Sequence, residues 1–139
     1  MEVAWQYADE LGIRDHIVYQ ERMEQKYLSR IYELAYIFLL PTEHEIFGMI
    51  LLEAMYYLTV VLTTDNGGFS TLIENEKNGC IIDELDDSVW ADKILSIIEN
   101  KSQVDVMRDN AHNTIANMYT WNHLADLFIS SYQSVGDRR

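Results

Sequence analysis

Two periods of hydrophobicity alternate along this chain, and each change of period marks a new element. Residues 2–11 read as a helix stopped by Gly12. "HIVYQ" (16–20) has the length and composition of a short strand. "MEQKYLSRIYELA" places Tyr27, Leu28, Ile31, Leu34 and Ala35 at helical spacing. "YIFLLP" (36–41) is a continuous apolar strand ended by Pro41, the only proline. "FGMILLEAMYY" (47–57) predicts a helix and "TVVLTT" (59–64) the next strand. "DNGG" is a turn, 69–75 a short helix, and "NGCIID" a turn into a strand near 80–83. From Ser88 the pattern is helical: "SVWADKILSIIEN", a segment from about Val104 to Met118, and "TWNHLADLFISSYQ".

Strands separated by helices predict βαβ units and a parallel sheet, hence an α/β fold. The strands are unbroken apolar runs, as expected where helices cover both faces of a sheet. Composition agrees with a single globular unit: 139 residues, 48% hydrophobic and 24% charged. The formal net charge of −13 argues against nucleic acid or an anionic membrane as partner, because both need a basic surface. Cys80 is the only cysteine, which excludes an internal disulfide and fits a reducing compartment. The opening "MEVAWQYADELG" lacks the pattern of a signal peptide, and "AYIFLL" and "FGMILL" are too short to cross a bilayer. A cytoplasmic location is the expectation.

In such a sheet, ligands gather outside the carboxyl ends of the strands. Two loops there, "PTEHEIFG" and "TDNGGFS", run into helix starts. Each offers free backbone N–H groups and the positive end of a helix dipole, a setting that favours anions. The glycines at 48, 67 and 68 allow close approach of a ligand. Around the first loop stand two glutamates, Glu45 at the helix entrance and Glu53 two turns inside it. The core-facing positions around them are Phe47, Ile50, Leu51 and Ala54. Glu53 therefore needs a partner, because an unpaired buried carboxylate is very costly. The two hydroxyls of a ribose would supply two donors to its two oxygens.

"EIFGMILLE" fits the E-x7-E motif, and here the chain resembles the retaining GT-B glycosyltransferases of family 4, the glycosyl transferases group 1 type. "YELAYIFLLPTEHEIFGMILLEAM" looks like the segment that carries the motif. "VVLTTDNGGFSTLIENEKNGCII" looks like the strand, Gly-Gly loop and Asn-Gly turn that follow it. "YTWNHLADLFISSYQSV" resembles the closing helix of these enzymes. The resemblance implies a Rossmann-like parallel sheet with flanking helices, the incomplete C-terminal half of a GT-B fold. It implies a nucleotide-sugar donor and no metal or other cofactor. Glu45 would lie at the reacting centre against the donor sugar. Glu53 would accept from the ribose. Backbone N–H groups of Phe47, Gly48 and Met49 would hold sugar hydroxyls or diphosphate, and Gly67 and Gly68 would shape the pocket wall.

The chain departs from the family pattern in several ways. The acceptor-binding N-terminal domain and the first two βα units of the donor domain, which carry a basic Arg and Lys, have no counterpart in residues 1–139. The fragment is expected to be inactive alone, with base, sugar and acceptor undetermined. In the full-length protein, association with the inner face of a membrane would come from the absent domain. Leu58 and Val60 stand where Gly and Pro are usual. The two missing strands would lie between "HIVYQ" and "YIFLLP". These segments are therefore expected either to pair directly or to self-associate through their open edges. The alternative function is a non-catalytic α/β nucleotide-binding or protein-interaction module. His16, His44, His112 and His123 are not spaced as a metal set. "DELDD" reads as a solvated loop capping the next helix, Cys80 as a buried thiol, and Trp90 and Trp121 as core.

Overall fold

Val60–Thr64 (strand β2) is buried at every position, and the other elements are arranged to cover it. The computed structural model describes residues 2–43, 48–65, 68 and 72–136. In chain order these form α1 (Glu2–Glu10), a 3-10 turn (Arg14–His16), α2 (Gln25–Leu34), β1 (Ile37–Leu40), α3 (Met49–Tyr56) and β2. There follow β3 (Cys80–Ile82), α4 (Asp87–Glu99), α5 (Lys101–Met118) and α6 (Trp121–Gly136). The sheet is parallel in the order β1-β2-β3, with Ile37 opposite Val60 and Leu62 opposite Cys80.

Strand alternation divides the core into two layers. On one face Val61 and Phe38 pack with Leu51, Ala54, Met55 and Tyr32 from α3 and α2. On the other, Val60, Leu62, Cys80 and Ile82 pack with Trp90 and Ile97 from α4. α5 serves both layers, giving Val104 and Met107 to the second and Ala111 and Ile115 to the first. The threonines of β2, and Thr59 just before it, donate to neighbouring carbonyls. Thr63 Oγ1 donates to the Leu40 carbonyl at 3.0 Å, Thr64 Oγ1 donates to that of Thr42, and Thr59 Oγ1 donates to that of Tyr32 at 2.6 Å.

Several expectations change. "HIVYQ" is not a strand: after the 3-10 turn its residues join no ladder, and Val18 is 93% exposed. The segment instead leans on α1, with Tyr19 edge-on to Trp5 and the Arg14 guanidinium 4.9 Å from the Trp5 ring. Strand propensity describes how side chains fit a pleated neighbour, and here no neighbour is at hand. The expected direct pairing of this segment with β1 therefore does not occur. Tyr27, Ile31 and Leu34 of α2 are exposed, whereas Tyr32 is buried. In α3, Ile50 is half-exposed and Met55 takes the core position. Of the helix expected at 69–75, residues 69–71 lie outside the described residues, and 72–75 are a turn and a bridge residue. Trp90 is in the core, its Nε1 donating to the Glu84 carbonyl at 2.9 Å, but Trp121 is 88% exposed. Asp86 caps α4 as expected, accepting from Ser88 N at 2.8 Å and Val89 N at 3.3 Å. The Cys80 thiol is buried 3.8 Å from Met107 Sδ, and burial pushes its pKa up to about 11.

Two turns before strands carry opposite backbone demands. Leu58, where glycine is usual, has φ +61, a left-handed conformation that costs a side chain about 1–2 kcal/mol. Asn78 is buried and clamps its turn, accepting from Glu74 N at 2.8 Å and donating to the Leu72 carbonyl at 3.2 Å. A Cβ on Gly79 would stand 2.7 Å from Val61 Cγ2 and 3.0 Å from Ile73 Cγ2. In urea denaturation, Gly79→Ala is expected to lose about 1–3 kcal/mol. Leu58→Gly is expected to gain about 0.5–1 kcal/mol, its relief of strain partly offset by a freer unfolded chain. Equal stability of the two variants would contradict both assignments.

Candidate functional site

Two helices present matching faces to one cleft. In α3 the core takes Leu51, Ala54 and Met55, which leaves Met49, Leu52, Glu53 and Tyr56 on the opposite stripe. In α2, Gln25, Leu28, Ser29 and Tyr32 recur at the same i, i+3, i+4, i+7 spacing. The cleft between these stripes has a volume of about 470 Å³, and Tyr57, Ile115 and Tyr119 line it as well.

Glu53 is the carboxylate in this lining, and it is half-buried. Gln25 Nε2 donates to its Oε1 at 3.0 Å, and the Tyr32 hydroxyl donates to its Oε2 at 3.2 Å. The sequence called for a partner to this charge, and the partners are neutral donors from the neighbouring helix. Burial, and then the adjacent Glu53 charge, push the Tyr32 phenol up to about 12. Tyr32 is itself held: its ring stacks on Tyr57 at 6.1 Å, meets Phe38 edge-on at 5.8 Å, and its carbonyl accepts from Thr59.

At the mouth of α3, Gly48 is the N-cap with φ +66 and ψ +47. This left-handed conformation suits glycine, which turns the chain into the helix and has no side chain of its own to place there. Met49, the first residue of α3, is exposed beside the cleft. The structure thus brings Gly48, Met49 and Glu53 together on one helix. Glu45, Phe47 and Gly67, like His44, lie outside the described residues, while Gly68 is described as a single half-buried position in its loop. Gln25 and Tyr32 were not singled out by sequence. Their i, i+7 spacing was legible, but the pairing of α2 with α3 was not.

Among the described residues, no three His, Cys, Asp or Glu side chains cluster as a metal site would, and no helix is long and apolar enough to cross a membrane.

Residues 4–114 match the family described as Glycosyl transferases group 1. A D-inositol 3-phosphate glycosyltransferase from Corynebacterium urealyticum is 29% identical over 128 residues, covering 92% of this chain and 30% of that protein. The chain spans about three tenths of the length of the curated relatives it matches. Among solved structures, HepE from Anabaena in complex with UDP superposes with a TM-score of 0.84 at 17% identity, covering 96% of this chain and 36% of that one. HepE in complex with UDP-glucose gives the same values. The C-terminal domain of LpcC, a glycosyl transferase group 1 family protein from Francisella tularensis, gives 0.79 at 20% identity over 86% of this chain and 62% of that one. The fold is thus the Rossmann-like, C-terminal half of a GT-B architecture, in part.

The raised Tyr32 pKa has a consequence at alkaline pH. The folded state keeps the phenol protonated where the unfolded chain, with its ordinary value of 10.0, releases the proton. Its contribution is complete below pH 10 and is lost as pH rises through about 12. The urea midpoint of the wild type is expected to fall more steeply over that interval than that of Tyr32→Phe. Parallel profiles would remove the assignment.

Proposed function

This chain belongs to the glycosyl transferases group 1 family, and we propose that it forms the donor-binding part of a retaining, family 4 hexosyltransferase that uses a nucleotide sugar. The observation that carries this reading is the Glu53 carboxylate, set in a cleft beside the N-terminus of α3. A ribose offers two vicinal hydroxyl donors, and a carboxylate lining a cleft is a matching acceptor. The diphosphate or sugar hydroxyls would lie at the backbone N–H groups of Phe47, Gly48 and Met49, where the helix dipole favours negative charge. Glu45 would face the donor sugar at the reacting centre, and Gly67 and Gly68 would close the pocket wall. HepE, which shares the fold, was solved with UDP and with UDP-glucose, and this supports the same ligand class here.

In retaining transfer the bond between the anomeric carbon and the diphosphate oxygen breaks, leaving positive charge on the sugar and negative charge on the leaving group. Fixed N–H dipoles at the helix start would stabilise the leaving diphosphate. No metal is required in this reading. The reading also holds that these residues are a partial domain that binds donor without transferring it, in a cytoplasmic enzyme peripheral to the inner membrane face when complete. The exposed stripe of Tyr27, Ile31 and Leu34 and the edge of β1, which pairs with no further strand among the described residues, support that view, since both are surfaces that additional βα units would cover.

The same stripe favours the second reading, a non-catalytic interaction module. Under either, the chain is expected to self-associate at high concentration through the β1 edge. Light scattering that shows only monomer throughout would remove that expectation.

Calorimetric titration with UDP, GDP and UDP-glucose tests the main reading. One nucleotide is expected to bind, with affinity reduced about tenfold or more in Glu53→Ala, the loss of charge-assisted hydrogen bonds. A folded chain that binds none of the three would overturn the donor-binding reading for this chain.

A further inference from the structure

We infer that Tyr32 and Gln25 are positioning residues for Glu53, which hold its carboxylate so that its remaining lone pairs receive the two hydroxyls of a ribose. This rests on the donor-binding reading of the cleft and assigns a function to two residues outside the E-x7-E segment. A carboxylate has about four acceptor positions. Gln25 occupies one on Oε1 and Tyr32 one on Oε2, so each oxygen keeps acceptor capacity on a side chain that lines the cleft.

The two donors come from opposite ends of α2, seven residues apart, and contact different oxygens. Together they fix both the direction of the carboxylate and its rotation about the last side-chain bond. The Tyr32 hydroxyl is a rigid reference point, because the residue is 6% exposed, its ring stacks on Tyr57, and its backbone carbonyl accepts from Thr59. The helix that carries Glu53 is equally fixed by Leu51, Ala54 and Met55, all fully buried.

The donors are also neutral. Among the described residues Glu53 makes no ion pair, and Lys26, the one cation in the cleft lining, pairs with Glu24 at 2.7 Å. A cation on Glu53 would compete with sugar hydroxyls for the carboxylate. A phenol and an amide orient it while leaving its charge in place for charge-assisted hydrogen bonds. A simple tie between helices would enclose the carboxylate between its donors, whereas Glu53 stays half-exposed in the cleft wall.

The test compares ribose with 2′-deoxyribose in the same base. The wild-type chain, Tyr32→Phe, Gln25→Met and Glu53→Gln are each titrated with UDP and 2′-deoxy-UDP, and with GDP and 2′-deoxy-GDP. Melting is recorded in parallel to establish that each variant is folded. Tyr32→Phe keeps the stacked ring, and Gln25 is at an exposed helix start, so each variant checks the other. The wild type is expected to prefer the ribonucleotide by roughly tenfold. Both positioning variants are expected to cut that preference to roughly threefold, mainly by weakening the ribonucleotide. If Glu53→Gln collapses the preference but Tyr32→Phe and Gln25→Met retain it, the positioning role is overturned and the cleft reading stands. If the wild type shows no preference, or Glu53→Gln leaves it intact, the cleft reading falls and the positioning role with it.

Discussion

Burial of β2 on both faces is the constraint from which the rest of the structure follows. All five of its residues are covered, so helices must lie on each side of the β1-β2-β3 sheet. Val61 turns to one layer and Val60 and Leu62 to the other, and α5 is long enough to seal both. The buried threonines of this strand, and Thr59 just before it, would be costly without partners. They find them in the carbonyls of Tyr32, Leu40 and Thr42, which ties the ends of α2 and β1 to the strand.

That tie places the site. Once α2 and α3 pack on the same face of the sheet, the stripes they do not bury face each other. Glu53 then lines the groove half-exposed, and Gln25 and Tyr32 reach its carboxylate from across it. The apolar residues that make the cleft wall also make the core beneath it. Tyr32 belongs to both: its ring packs in the first layer and its hydroxyl meets the carboxylate. Stability and binding geometry are therefore coupled at one side chain.

The strained and the obligatory turns show how local preference yields to packing. Leu58 holds a left-handed backbone that glycine would adopt freely, and the strand that follows two residues later is fully buried. Gly79 shows the converse case, since a Cβ there would force Val61 and Ile73 to shift. "HIVYQ" marks the limit of composition as a guide. It has strand-like residues, yet its position beside α1 leaves it without a ladder to join.

Apart from "HIVYQ" and the segment at 72–75, the sequence by itself determined the order of helices and strands, the parallel sheet, the helix stop at Gly12, the cap from "DELDD", and the candidacy of Glu53. These follow from periodicity and from the conformational preferences of single residues, which act over a few positions. Only the tertiary structure decided which stripe of α2 is buried, that Met55 rather than Ile50 enters the core, and that Gln25 and Tyr32 are the donors to Glu53. Those outcomes depend on how two helices separated by a strand and a loop are set against one another. A hydrogen bond spanning 21 or 28 residues leaves no periodic trace in the chain that makes it.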